Sequence, residues 1–183
     1  MLNYYLQNKI LNQELFKLDL LPGTYLKTPI GNLKICGTEK GILSVDFTDM
    51  FEETSTNEPV ILDCLNQLDE YFQGSRKEFS VKLDLHGSSF QKKIWNELLK
   101  IPFGKTLSYL ELAMKHGDMK AVRAVGLANA KNPVAIIVPC HRVIGANDSL
   151  VGYAGGLWRK QWLLDHEKKF TYGIQKLFSI NAE

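Results

Sequence analysis

No stretch of the 183 residues stays apolar over the ~18 positions that a membrane-spanning helix needs, so no membrane partner is expected. The N-terminus, MLNYYLQNKILNQELFKLDLL, scatters charges and amides where a secretion signal would carry a basic end and then an apolar stretch. Cysteine is scarce. Cys36, Cys64 and Cys140 stand far apart, odd in number and without a C-x-x-C pair, which argues against a disulfide framework and predicts a reducing, cytoplasmic setting. The four histidines, His86, His116, His141 and His166, fall at no zinc-finger spacing, so no metal site is expected. Repeats and low-complexity segments are missing too, which leaves one large domain or two small ones.

Charge is present but unevenly shared. Residues 1–85 hold 8 Lys and Arg against 13 Asp and Glu, whereas residues 86–183 hold 14 against 7, so a net charge of +2 conceals an acidic half and a basic half. A basic half fits a polyanionic partner, because Lys and Arg gain by displacing counterions from phosphates. A solvated basic face would look the same.

The first half reads as hairpins. Tyr25–Thr28, Leu33–Gly37 and Ile42–Phe47 are short β runs, separated by the turn signals Pro29-Ile30-Gly31-Asn32 and Glu39-Lys40-Gly41. An acidic loop, Asp49–Glu58, leads to Leu62, Leu65, Leu68, Tyr71 and Phe72 at helical spacing, stopped by Gly74. Ser80–Leu85 alternates as one more strand would, and Leu85–Ser88 is the candidate linker. The second half is more helical. Ser88 or Ser89 caps a helix carrying Phe90, Ile94, Trp95 and Leu98. Further helices are expected over Ser108–His116 and from Met119 to about Ala130, joined at Gly117-Asp118, which is helix-turn-helix spacing. The apolar run Val134–Val138 reads as a strand ending at Pro139-Cys140-His141, and a last helix holds Leu157, Trp158, Leu163 and Leu164. The apolar spacing of the first 20 or so residues predicts a packed helix.

Cys36 and Cys64 read as small buried hydrophobes. Cys140 differs through its neighbours: after an apolar strand and before His141 and Arg142, it is expected in an electropositive setting that favours thiolate. A Cys beside a His does not establish catalysis, since adjacent side chains point apart. Taken singly, Tyr109 reads as a half-buried core aromatic, Arg123 as a surface ion-pair residue, Glu167 as a surface carboxylate and His166 as solvent-facing or packing.

The stretch RAVGLANAKNPVAIIVPCHRVIGANDSLVGYAGGLWRKQWLLDHE from Arg123, together with Phe90-Gln91, Trp95 and Ser108-Tyr109, resembles the methylated-DNA–protein-cysteine methyltransferases, also called O6-alkylguanine-DNA alkyltransferases. About 80 residues carry the resemblance; the first half matches loosely, in the order of its elements and in Pro29-Ile30-Gly31. It implies an α/β (α+β) two-domain fold. Residues 1–85 would be a small β-sheet with helices, ribonuclease-H-like. Residues 86–175 would be a mainly helical, winged-helix-like domain with a helix-turn-helix, and 176–183 a tail. It implies direct reversal of O6-alkylguanine damage by irreversible transfer of the alkyl group to Cys140, once per molecule and with no cofactor, with O4-alkylthymine as an open second substrate.

By the same resemblance His141 acts through a water as base, Glu167 orients it, and Tyr109 aids the leaving base. Asn132 ties down the active-site turn, and Lys160 lies near the pocket in a less defined role. Gly152, Tyr153, Ala154 and Gly155 wall the pocket, and the carbonyls of Cys140 and Val143 read the guanine amine. Arg123 fills the gap left by the flipped nucleotide, while Gln91, Tyr109, Leu110, Asp118, Ala121, Ala124 and Gly126 complete the minor-groove DNA face. The implied partner is double-stranded DNA with alkylated bases; a monomer is expected, with cooperation on DNA left open.

The chain departs from the family pattern at Asp118, where an amide is common, at Leu110, which replaces a polar residue, and at Val122, which is bulkier than alanine. Ala154 lacks a hydroxyl some relatives carry. Gly155 is expected to leave an open wall that admits groups larger than methyl. Two other classes compete: a lesion-binding protein without chemistry, against which Cys140 itself argues, and a cysteine hydrolase, which would turn over repeatedly and have no use for Arg123.

Overall fold

A computed structural model describes residues 23–172 of the protein; the helix expected over the first 20 or so residues and the tail 176–183 lie outside the described residues. Strands β1 (Gly23–Thr28), β2 (Gly31–Thr38) and β3 (Gly41–Thr48) form an antiparallel meander in that order. Gly31 closes the first turn at φ 105°, a conformation that a Cβ would oppose. Leu33, Ile35, Ile42 and Val45 bury one face of the sheet completely. Helix α1 (Pro59–Phe72) covers that face with Ile61, Cys64, Leu68 and Tyr71, while Leu62 is left exposed. Each fully buried aliphatic side chain here contributes roughly 1.5–3 kcal/mol.

Two strand expectations are corrected. Ser80–Leu85 makes only a single bridge, Leu83 beside Ile42, because just two backbone hydrogen bonds reach β3: Ile42 N–H to the Lys82 carbonyl at 2.8 Å and Asp84 N–H to the Ile42 carbonyl at 2.9 Å. Val134–Val138 is likewise no strand. One bridge joins Val134 to Val45; the chain then folds on itself, with Val138 N–H bonding the Val134 carbonyl at 3.0 Å and Ile136 at φ 72°. Positive φ at a buried β-branched residue is strained by ~1–3 kcal/mol and persists where packing over-determines it. The apolar run is apolar because this turn is buried.

The C-terminal half comprises α2 (Ser89–Leu98), β4 (Leu107–Ser108), α3 (Tyr109–His116), α4 (Val122–Ala130), β5 (Val143–Ile144) and α5 (Leu157–Tyr172). Ser88 is the N-cap of α2, in a reciprocal capping box with Gln91. Trp95, fully buried, donates its indole N–H to the Ala128 carbonyl at 2.9 Å and so ties α2 to α4. Ser108 and Glu111 form a second capping box at the start of α3, and Gly117 ends it at φ 96°. Asp118 then caps a short turn through the Lys120 N–H at 2.8 Å, and α4 follows, completing the helix-turn-helix. Parallel pairing of Leu107 with Val143 and Ser108 with Ile144 fixes the start of α3 beside the segment that carries Cys140.

Candidate active site

The buried turn that ends at Cys140 is held from both halves of the chain. Val45 of β3 donates to the Pro133 carbonyl and accepts from Ala135 N–H, both at 3.0 Å. From within, Asn132 fastens the turn as expected: its Oδ1 accepts from Val134 N–H at 3.0 Å, and its Nδ2 donates to the Val138 carbonyl at 2.8 Å. The same Nδ2 lies 3.1 Å from the Cys140 Sγ, so Asn132 also touches the sulfur directly.

Cys140 opens a short 3-10 turn, Cys140–Arg142, all three residues of which are buried. Burial pushes the Cys140 thiol up from its ordinary value, outweighing the Asn132 hydrogen bond and the Lys160 charge, which act the other way. The sulfur therefore rests as a thiol and needs a base.

His141 is the next residue in that turn. Its side chain is fully buried and its Nε2 lies 2.8 Å from Glu167 Oε1, while its Nδ1 has no hydrogen-bond partner among the described residues. Burial holds the ring below its ordinary value despite Glu167, so the neutral ring donates from Nε2 and keeps Nδ1 as an acceptor. Glu167 is no surface carboxylate but a fully buried hub on α5. It accepts from Arg142 Nε and Nη2 at 3.0 and 2.9 Å, from the Tyr71 hydroxyl at 3.0 Å and from Gly104 N–H at 2.8 Å. Burial alone would raise its carboxyl, but His141 and the Arg142 guanidinium hold it well below the usual carboxylate range. Arg142 is pinned in turn by the Ile101 carbonyl at 2.6 Å. Immediately before Glu167 on α5, His166 is a packing residue, stacked on Trp162 at 4.8 Å and bonded through Nε2 to the Tyr71 carbonyl at 2.7 Å.

Lys160 acquires a defined place. Fully buried, its Nζ donates to the carbonyls of Val143 at 2.6 Å, Val151 at 2.8 Å and Gly152 at 3.4 Å, stitching the pocket loop to β5. Burial lowers it to about 8, with Cys140 acting in the opposite sense. Val143 itself is fully buried, and its carbonyl is the acceptor at 2.6 Å from the Lys160 ammonium.

A pocket of about 120 Å3 opens on Cys140 and is lined by Asn129, Asn132, Gly152, Tyr153, Ala154 and Gly155, with Val45, Asp46 and Phe47 of β3 on the far side. Gly155 does not leave that wall open, because the Phe47 ring fills the space a side chain there would take. Tyr109 stands in an adjoining groove of about 760 Å3 with Leu110, Val122, Gly126 and the 144–148 loop. Its hydroxyl accepts from Asn129 Nδ2 at 3.4 Å, which leaves its own hydrogen free to donate, and burial raises its value so that it stays protonated.

On α4, Arg123 and Ala124 are exposed and Gly126 partly so, as is Ala121 just before the helix. Arg123 makes no ion pair among the described residues. Leu110, Met114, Met119 and Leu127 are also exposed on the helix-turn-helix. Gln91 has other employment: its Oε1 accepts the Ser88 N–H at 2.7 Å in the cap of α2. Sequence reasoning missed Tyr71, Arg142 and Asn129. Tyr71 was visible only as a core position of a helix, and its partner Glu167 is 96 residues away. Arg142 sat inside the Cys140 motif but read only as positive charge beside the cysteine, with no sign of its bond to Glu167.

A buried cysteine with an amide on its sulfur, an imidazole–carboxylate pair behind it and a helix-turn-helix beside it defines a DNA-acting enzyme with a cysteine nucleophile. Two family models match, 6-O-methylguanine DNA methyltransferase, ribonuclease-like domain, over residues 23–85 and 6-O-methylguanine DNA methyltransferase, DNA binding domain, over residues 89–169. The methylated-DNA–protein-cysteine methyltransferase of Methanosarcina acetivorans is 47% identical over 147 residues, covering 77% of this chain and 94% of the relative. That of Mycobacterium leprae is 46% identical over 148 residues, covering 78% and 90%. Among solved structures, the Mycobacterium tuberculosis O6-methylguanine methyltransferase superposes with a TM-score of 0.74 at 41% identity, covering 86% of this chain and 98% of that one. The M. tuberculosis protein solved in complex with DNA gives 0.74 at 43% identity, covering 81% and 93%. The chain belongs to the methylated-DNA–protein-cysteine methyltransferases and is a direct-reversal DNA repair enzyme of that type.

Proposed function

We propose that Cys140 is the residue that accepts the alkyl group from O6-alkylguanine, with the base flipped from duplex DNA into the pocket between β3 and the 152–155 loop. The observation that carries this reading is the Asn132 amide at 3.1 Å from a buried thiol in that pocket, backed by the His141–Glu167 pair at 2.8 Å. The thiol proton passes through a water to His141 Nδ1, and Glu167 balances the imidazolium that forms. The Cys140 sulfur then forms a bond to the alkyl carbon as that carbon's bond to guanine O6 breaks, and the electron pair goes to the base. Tyr109, kept protonated by burial, donates to the departing guanine. Lys160 holds the pocket loop and favours negative charge on the sulfur. The thioether is not a leaving group for water, so the protein acts once.

Duplex DNA binds across α3 and α4 from the minor groove, with Arg123 in the gap left by the flipped nucleotide and Ala121, Ala124 and Gly126 permitting close approach. The exposed Leu110 and the cap-forming Asp118 flank that face. The protein works as a monomer in the cytoplasm, where its three cysteines stay free. The linker between its two domains is Leu85–Ser88. With methylated duplex in excess, repaired guanine should plateau at one per protein molecule; continued turnover would favour the hydrolase reading.

A further inference from the structure

Phe47 belongs to β3 of the N-terminal sheet, yet it lines the pocket that contains Cys140. A Cβ built on Gly155 would lie 2.6 Å from the Phe47 ring and 3.0 Å from the ring of Tyr153, closer than packed carbon atoms approach. The glycine is therefore occupied from across the domain boundary. The ring is also held in place. The Arg159 guanidinium stacks over it at 4.7 Å, and Tyr153 meets it edge-on at 6.3 Å. That same Arg159 donates to the Ile30 carbonyl at 2.7 Å and the Gly155 carbonyl at 2.8 Å, so the sheet, α5 and the pocket loop converge on one aromatic ring.

We propose that Phe47 is a specificity-determining residue that limits the size of the alkyl group the pocket accepts, favouring methyl over bulky aromatic groups. This rests on Cys140 being the acceptor. A pocket of about 120 Å3 whose far wall is a clamped phenyl ring has little spare volume beyond a base and a small alkyl group. Discrimination by pocket size is typically worth about 10–200-fold per methylene. The N-terminal sheet thereby does more than support the fold: it shapes the substrate range of the C-terminal site.

The test is a comparison of single-turnover rates on duplexes carrying O6-methylguanine or O6-benzylguanine. Phe47→Ala should raise the benzyl-to-methyl rate ratio about tenfold or more over the wild type; an unchanged or lower ratio overturns the proposal. Should Phe47→Ala fail to fold, Phe47→Leu and Phe47→Trp decide it, with the ratio ordered Leu above wild type above Trp and any other order contradicting it. Gly155→Ala should slow methyl transfer, and Phe47→Ala added to it should restore part of the rate; no recovery contradicts the packing of the two positions. Cys140→Ser is run in parallel. Alkylated Cys140→Ser protein means the acceptor assignment has failed, whereas a flat ratio with all label on Cys140 overturns the Phe47 proposal alone.

Discussion

Glu167→Gln should leave a protein that is both less stable and nearly inert. The carboxylate takes hydrogen bonds from His141, Arg142, Tyr71 and Gly104, and all of these partners are buried or half-buried. Making it neutral strands the Arg142 guanidinium, which is enclosed and has, among the described residues, the Ile101 carbonyl as its other hydrogen-bond acceptor. Breaking a buried ion pair on one side costs about 3–5 kcal/mol, so a loss of that size is expected in the unfolding free energy read from denaturant titration. Losing the group that orients and balances the base should slow methyl transfer by about 10²–10⁴. Tyr71→Phe, which removes one donor and no charge, should fall between wild type and Glu167→Gln in both measurements.

The same network sets the response to acid. Glu167 is held below its ordinary 4.5, so the stability it confers is complete above that value and drains away as pH falls towards the depressed folded value. His141 is held below its ordinary 6.5 by burial; as pH falls beneath 6.5 the unfolded chain takes up a proton that the folded ring refuses, so part of the stability goes earlier. Wild-type stability should therefore decline in two stages on acidification. Glu167→Gln should lose the lower stage, and a variant that kept it would show that other carboxylates carry the acid response.

Arg123→Ala should slow repair of O6-methylguanine in duplex DNA by about 30–150-fold. Extruding a base costs a few kcal/mol of stacking and pairing, and a side chain that fills the gap returns a share of it; 2–3 kcal/mol corresponds to about 30–150-fold in rate. Arg123 is exposed on α4, away from the pocket lining, so reaction with the free base O6-methylguanine should change less than about threefold. An equal loss on duplex and free base would place Arg123 in the chemistry instead of the flipping step.

How much of this was legible in the residues depended on the range over which the information acts. The hairpins were readable because Gly31 and Gly41 need positive φ, and the helix-turn-helix because Gly117 does. Ser88 and Ser108 declared two helix starts by local capping chemistry. Val134–Val138 misled because an apolar run reports burial and not conformation; the turn is set by Asn132 and by Val45, 89 residues earlier. The motif around Cys140 pointed to the cysteine but not to the weight of burial on its thiol, which is a property of the packed fold. Glu167 was found through resemblance alone. Its donors Tyr71 and Gly104, like the approach of Phe47 to Gly155, come from pairings far apart in the chain that no local pattern encodes.

Intact-mass measurement after incubation with an oligonucleotide duplex containing O6-methylguanine tests Cys140 as the alkyl acceptor most directly. Wild-type protein should gain a single methylene mass, located by peptide fragmentation on Cys140, and Cys140→Ser should gain none. Repaired DNA beside unmodified wild-type protein, or the added mass on Cys36 or Cys64, would contradict it.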